Sequence, residues 1–243
     1  MLSADRREAY NLRARSENLL EASNDMYGSD CFFNRRSFLQ VTAAATAGVS
    51  TFSFFSDAAW SEDADVNILG PKPGFSPQIG TLVSMLTWMR MVVLMSVKGM
   101  TQKDLDYLFD SYANTIGALL LHLAATETYY QLHTFGGMKW DSWPDSIKQK
   151  WDIPMNLGEP ARKTIKGNNL DYYLEILKTT REKTLAEFRK RDDSFLMAVD
   201  KDFPWGPTNN YCKWFHVCEH ESNHNGQIKF LAKRLPGAKP DSE

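Results

Sequence analysis

Apolar side chains recur at intervals of three and four residues through most of the chain after residue 75, the spacing of one buried face on an α-helix. Ser76 and Pro77 fit the N-cap and first turn of a helix that runs to about Val97, and Gly99 ends it. Its predicted buried side consists of Leu82, Met85, Leu86, Met89, Val92, Val93 and Val97.

Three further long helices follow from the same spacing and from their flanking cap residues. They are predicted from Asn114 to about Gln131, from Asn169 to about Arg191, and from about Thr208 to Arg234. The sequence has no sustained alternation of apolar and polar residues, the pattern that would predict strands. The predicted fold class is therefore all-α, a four-helix bundle.

Two connections between these helices are long. The first, Lys139–Gly158, carries three tryptophans and two prolines, and we expect its aromatic rings to pack over one end of the bundle. A lid over a functional site is the alternative. The second, Phe195–Pro207, is predicted to be a loop with a brief extended piece.

The N-terminal part of the chain has the features of an export signal. Arg35-Arg36 and Phe38-Leu39 precede the apolar, uncharged run Val41–Phe55, and small residues surround position 58. The run is shorter than the ~20 residues of a membrane-spanning helix. It resembles a twin-arginine signal, and an ordinary N-terminal helix is the alternative. Because the region before Arg35 is long and carries both acidic and basic residues, Met26 is a second candidate for the start of translation.

These patterns divide the chain into a signal region at 1–58, a linker at 59–75, a bundle at 76–237 and a tail at 238–243. Export by the twin-arginine route implies a periplasmic or extracytoplasmic protein that folds first and meets the membrane only transiently. Cys212 and Cys218, six residues apart on one predicted helix, are too distant for a disulfide and are expected to be buried.

Charge gives no support to nucleic-acid binding. The formal net charge is −2, and no run of Lys or Arg is interleaved with aromatic residues. A small-molecule substrate is the more natural partner.

The histidines carry the most specific chemistry. His216, His220 and His224 follow one another at four-residue steps on one helix, so that neighbouring rings can share a metal ion. The first and last are too far apart to share it, and one neighbouring pair must recruit a further ligand, for which His122 is the obvious candidate. His133 is interpreted as a hydrogen-bonded core residue. His216 is either a proton carrier beside the metal or a polar lining residue.

Two segments resemble the signatures of the DinB-like (YfiT-like) metalloenzymes. They are Leu119-Leu120-Leu121-His122-Leu123-Ala124-Ala125-Thr126-Glu127 and Glu219-His220-Glu221-Ser222-Asn223-His224-Asn225-Gly226-Gln227-Ile228. The resemblance extends from about residue 74 to 237, and Asn225 stands where that family commonly has arginine. It implies a metal site made by His122, His220 and His224, and it makes a homodimer an expectation.

Three imidazoles leave room for a substrate or water on a divalent ion, and zinc or nickel suits them best. The first hypothesis is a hydrolase that activates water, with Glu127, His216 or Glu221 as catalytic proton carriers. The alternative is a metal-dependent thiol S-transferase, as in other members of the family. Export disfavours it because reduced small thiols are scarcer outside the cytosol. A non-catalytic metal-binding or interaction module is the third possibility.

Expectations also follow for four residues beside the histidines. Glu219 and Glu221 flank His220 and could both be simply solvated. Gly226, inside a helix, suggests the close approach of a neighbouring helix. Gln227, one turn beyond His224, is placed to hold an imidazole or a water, although a surface amide is the alternative.

Overall fold

The structure, a computed structural model, describes residues 66–238. In chain order its elements are α1 (Pro77–Val97), α2 (Gln102–Leu105), α3 (Ile116–Thr134), α4 (Asp145–Asn156), α5 (Gly158–Thr164), α6 (Leu170–Phe188), α7 (Asp193–Met197), β1 (Val199–Asp200), β2 (Thr208–Asn209) and α8 (Asn210–Ala232). The predicted signal region and residues 59–65 of the predicted linker lie outside the described residues.

The all-α class is confirmed, and the four long helices α1, α3, α6 and α8 are those that the sequence predicts. Two short strands, β1 and β2, pair antiparallel and join α7 to α8. Helix α8 packs against α1 and α3, and α3 also packs against α6. Most of the buried apolar side chains lie on these four helices, and the others come from the short helices and connections packed against them.

Side-chain caps fix where three of the long helices begin. Asn169 accepts a hydrogen bond from the amide of Tyr172 at the start of α6, as predicted. Helix α8 is capped by Asn209. Helix α3 is capped by Thr115, one residue later than predicted, because the side chain of Asn114 instead accepts from the amide of Gly158 at 3.1 Å.

Helix α1 is the one helix among residues 66–238 that is long and apolar enough to cross a membrane by length and composition. Half of its most apolar window is buried against its neighbours. The core helix of a helical bundle has the same length and composition, and α1 packs against α8 in this bundle.

The segment 139–158 is not the irregular connection that the sequence suggested. It contains α4, whose Trp151 is buried, while Trp143 just before it stacks on Tyr129 of α3 with ring centroids 4.9 Å apart. The aromatic rings thus pack against the bundle as expected, from an ordered helix and from the residues just before it. The role of a lid stays a prediction.

The second long connection holds α7 in addition to the expected extended piece. Both described cysteines are free, and Cys218 is buried. The prediction that Cys212 is buried was wrong, because it lies in the first turn of α8 on the side that faces away from the core.

Candidate metal centre

Three histidine rings converge between α3 and α8. His122 comes from α3, and His220 and His224 come from successive turns of α8. One ring nitrogen from each lies within 4.8 Å of the others, and the Nε2 atoms of His122 and His220 are 2.8 Å apart. The structure therefore brings together the three residues that the sequence singled out.

Backbone and amide oxygens hold two of these rings. His122 Nδ1 donates to the carbonyl oxygen of Pro154 at 3.0 Å, and His224 Nδ1 donates to Oε1 of Gln227 at 3.0 Å. Since an oxygen acceptor requires the proton on Nδ1, the lone pair of each neutral ring resides on Nε2. Gln227 thus holds an imidazole, one of the two roles predicted for it.

The carbonyl that holds His122 is available because of how α4 ends. Pro154 lies in the last turn of α4, where carbonyl oxygens have no partner within the helix. The chain then reverses through Leu157, a non-glycine residue at φ +55°, and Gly158 at φ +72°. The negative end of the helix dipole is thereby directed at a ring nitrogen.

Burial keeps the rings neutral. Burial first, and the neighbouring imidazoles second, lower the pKa of His122 to about 4 and that of His220 to about 3. Burial also lowers the pKa of His224. Neutral imidazoles are good ligands for divalent metal ions, so three of them with converging ring nitrogens fit such an ion.

Besides Gln227, the side chains of Thr126 and His216 lie close to these rings. The hydroxyl of Thr126 is 3.4 Å from Nε2 of His220. His216 stands beside His220 with ring centroids 5.2 Å apart, and its Nδ1 is 2.9 Å from the hydroxyl of Tyr130. The role of His216 as a proton carrier stays a prediction.

Glu127 and Glu221, the other predicted proton carriers, belong to a buried ion cluster at the centre of the bundle. Each long helix contributes one member, namely Arg90 from α1, Glu127 from α3, Arg181 from α6 and Glu221 from α8. Arg181 Nε donates to Glu127 at 2.7 Å, and both guanidinium groups donate to Glu221 at 2.6 Å. The expectation that Glu221 is solvated was wrong, since it is 2% exposed, whereas Glu219 is exposed.

Main-chain contacts complete the cluster. Arg90 donates to the carbonyl of Leu177 at 2.9 Å and Arg181 to that of Leu86 at 2.8 Å, so α1 and α6 are joined in both directions. Sequence reasoning missed both arginines. The available signal was Arg90 itself, a charged residue between Leu86 and Val93 on the apolar stripe of α1.

His133 lies in a separate network, as a core histidine should. Its Nδ1 is 2.7 Å from the carbonyl of Met138, and its Nε2 is 3.0 Å from Asp200 and 2.9 Å from Lys213. Those contacts fix the strand pair and α8 to the end of α3.

A cavity of about 600 Å³ lies one helical turn beyond His224 along α8. It is lined by Phe109, Asp110, Tyr112, Ala113, Asn114, Leu119, Asn223, Gly226, Gln227, Phe230 and Leu231. Gln227 therefore connects the cavity wall to the ring of His224. The prediction of a close helix approach at Gly226 was wrong, because a Cβ atom there would meet nothing within 4 Å.

Comparison with known proteins agrees with this geometry. The family model of the mycothiol S-transferases matches residues 81–237, which include all four long helices in whole or large part and all three histidines. No curated protein matches the chain. The protein belongs to the mycothiol S-transferase family of DinB-like proteins, and it is a metal-binding member with three histidines placed to hold the ion.

Proposed function

We propose that this protein is a metal-dependent S-transferase, which joins a low-molecular-weight thiol such as mycothiol to an electrophilic small molecule. The observation that carries the proposal is the convergence of three neutral imidazoles in a chain of this family. Zinc and nickel both suit such ligands. When bound, the ion supplies Lewis-acid chemistry that lowers the pKa of a coordinating thiol.

The surroundings of the histidines favour thiol transfer over hydrolysis. Water attack benefits from a carboxylate that can take up a proton, and the two carboxylates beside the ligands are held by arginines. Burial would raise the pKa of Glu127, but the charges of Arg181 and Arg90 outweigh it and lower that pKa. A carboxylate stabilised in this way is a poor base. A thiol does not need a strong base to lose its proton, because its own pKa already lies near 8.5.

Each residue of the site has a separate role in the proposed reaction. His122, His220 and His224 would hold the ion, with Pro154 and Gln227 keeping two rings in the required tautomer. The thiol loses its proton to solvent, the S–C bond forms, and the bond from that carbon to its leaving group breaks with its electron pair. The aromatic cavity beside His224 is suited to the body of an apolar substrate.

The hydrolase hypothesis depends on export, because reduced small thiols are scarcer outside the cytosol. Export remains a proposal for the N-terminal region. A direct assay distinguishes the reactions. Full-length protein loaded with zinc or nickel is incubated with mycothiol and an aromatic chloride, and separately with aromatic esters, and the products are identified by mass. The expected product is the thiol adduct. Ester cleavage without adduct formation would establish the hydrolase instead, and metal retention without turnover would favour the binding module.

Replacing Gly226 by leucine tests the cavity. Because a Cβ atom at this exposed position meets nothing within 4 Å, the variant should fold, and removal of a helical glycine should stabilise α8 by about 1 kcal/mol. The leucine should narrow the cavity and raise KM for bulky aromatic substrates severalfold. Thermal unfolding and steady-state kinetics measure both effects. The matched control is Gly226→Ala, which adds stability with little loss of space, and an unchanged KM in Gly226→Leu would remove the cavity from the substrate site.

A further inference from the structure

Thr126 occupies an unusual position for a helical threonine. It lies four residues after His122 on the same face of α3 and is 2% exposed. Its hydroxyl is 3.4 Å from Nε2 of His220, the nitrogen that also lies 2.8 Å from Nε2 of His122. The hydroxyl therefore stands at the edge of the three-nitrogen site.

Several other helical threonines in this bundle direct their hydroxyl to the main chain, whereas Thr179 and Thr184 donate to glutamate side chains. Thr128 donates to the carbonyl of Ala124 at 2.7 Å, Thr134 to that of Tyr130 at 2.7 Å, and Thr87 to that of Val83 at 2.8 Å. This bond to the fourth preceding residue is the usual solution for a threonine inside a helix.

The hydroxyl of Thr126 has different partners. Besides His220, its hydroxyl meets the sulfur of Met155 at 3.6 Å. A thioether is a weak acceptor, and the lone pair of His220 Nε2 is the one that a metal ion would take. Once that lone pair is engaged, a buried donor aimed at the site is left with a poor partner, which is costly unless a ligand accepts from it.

We propose that Thr126 is a catalytic residue that donates a hydrogen bond to the sulfur of the thiol substrate. This inference rests on the proposed S-transfer and identifies a contact within it. The bond stabilises the negative charge that the sulfur acquires when its proton leaves for solvent. The hydroxyl keeps its own proton throughout, while the S–C bond forms and the leaving group departs with its electron pair.

The test compares Thr126→Val, which removes the hydroxyl at nearly equal volume, with Thr126→Ser, which keeps it. Thr128→Val is the matched control on the same helix, because that hydroxyl serves only the main chain among the contacts described. Each full-length protein is loaded with cobalt(II), its metal content is measured, and it is titrated with 2-mercaptoethanol. The sulfur-to-cobalt absorption band reports thiol binding without catalysis.

The expected result is a Kd for 2-mercaptoethanol about tenfold higher in Thr126→Val, with metal content unchanged, since hydrogen bonds to charged groups are the strong ones. Thr126→Ser and Thr128→Val should bind as the wild type does. Equal thiol affinity in Thr126→Val, or loss of its metal, would overturn the role of Thr126 alone. A cobalt-loaded wild type that shows no thiol band would instead overturn the proposed S-transfer.

Discussion

Replacement of His220 by alanine is expected to abolish metal retention and turnover while leaving the bundle folded. The Nε2 atom of His220 lies 2.8 Å from that of His122, and its ring centroid lies 4.5 Å from that of His224, so its loss removes a ligand next to both others. Changes to groups that merely support a ligand cost about 10–100-fold in metal affinity, and loss of a ligand itself should exceed that. Metal content after dialysis, measured together with circular dichroism, checks both parts of the expectation.

The fold should survive this change for two reasons. Alanine has the highest helix propensity, and the half-buried ring of His220 is not part of the apolar core. His216→Ala, one turn earlier on α8, is the matched control, because His216 lies outside the three-histidine group and should be dispensable for metal binding. Full metal occupancy in His220→Ala would refute the ligand assignment.

The long helices were predictable because their information is local. Apolar residues at helical spacing and caps such as Asn169 and Asn209 lie within a few residues of the structure that they specify. Helix α4 was not predicted, because its segment carries mixed charge and two prolines. It is stabilised mainly by packing on α3, where Tyr129 donates a hydrogen bond to Asp152. Tertiary packing, which the sequence does not display, decides such a case.

The same distinction applies to the metal centre. His220 and His224 were found because one helix carries both, and His122 because it is a histidine in an apolar helical stretch. The carbonyl of Pro154 was not predictable, since it reaches His122 only through the folding of a different segment. Glu127 and Glu221 were recognised as charged neighbours of the site, but their arginine partners lie 37 to 131 residues away in the chain.

The ion cluster also affects the metal site, because its two glutamates lie on the helices that carry the histidines. Glu127 lies five residues after His122 on α3, and Glu221 directly follows His220 on α8. Because Arg90 and Arg181 bind both carboxylates, they fix the two ligand-bearing helices relative to each other as well as to α1 and α6. We infer that the cluster specifies this arrangement of the four helices, whatever its net effect on stability.

Replacement of Glu127 by glutamine should accordingly destabilise the fold by about 3–5 kcal/mol, the usual consequence of removing one partner from a buried ion pair. Glu127 is 0% exposed and accepts from Arg90, Arg181 and Thr184, and a neutral amide would leave two guanidinium groups with a single carboxylate. Denaturant unfolding measures the change. The matched control is Glu182→Gln, an exposed glutamate next to Arg181 on α6, which should differ from wild type by less than about 0.5 kcal/mol.

The pH dependence of unfolding gives an independent check on the same carboxylate. Since the folded protein lowers the pKa of Glu127 from its ordinary 4.5, its contribution to stability is complete above pH 4.5 and is lost as the pH falls through the lowered value. The wild type should therefore lose stability in acid below pH 4.5 more steeply than Glu127→Gln, which has no proton to bind there. Parallel acid profiles for the two proteins would mean that Glu127 is not held as a charged group, and the cluster could not then be what aligns α3 with α8.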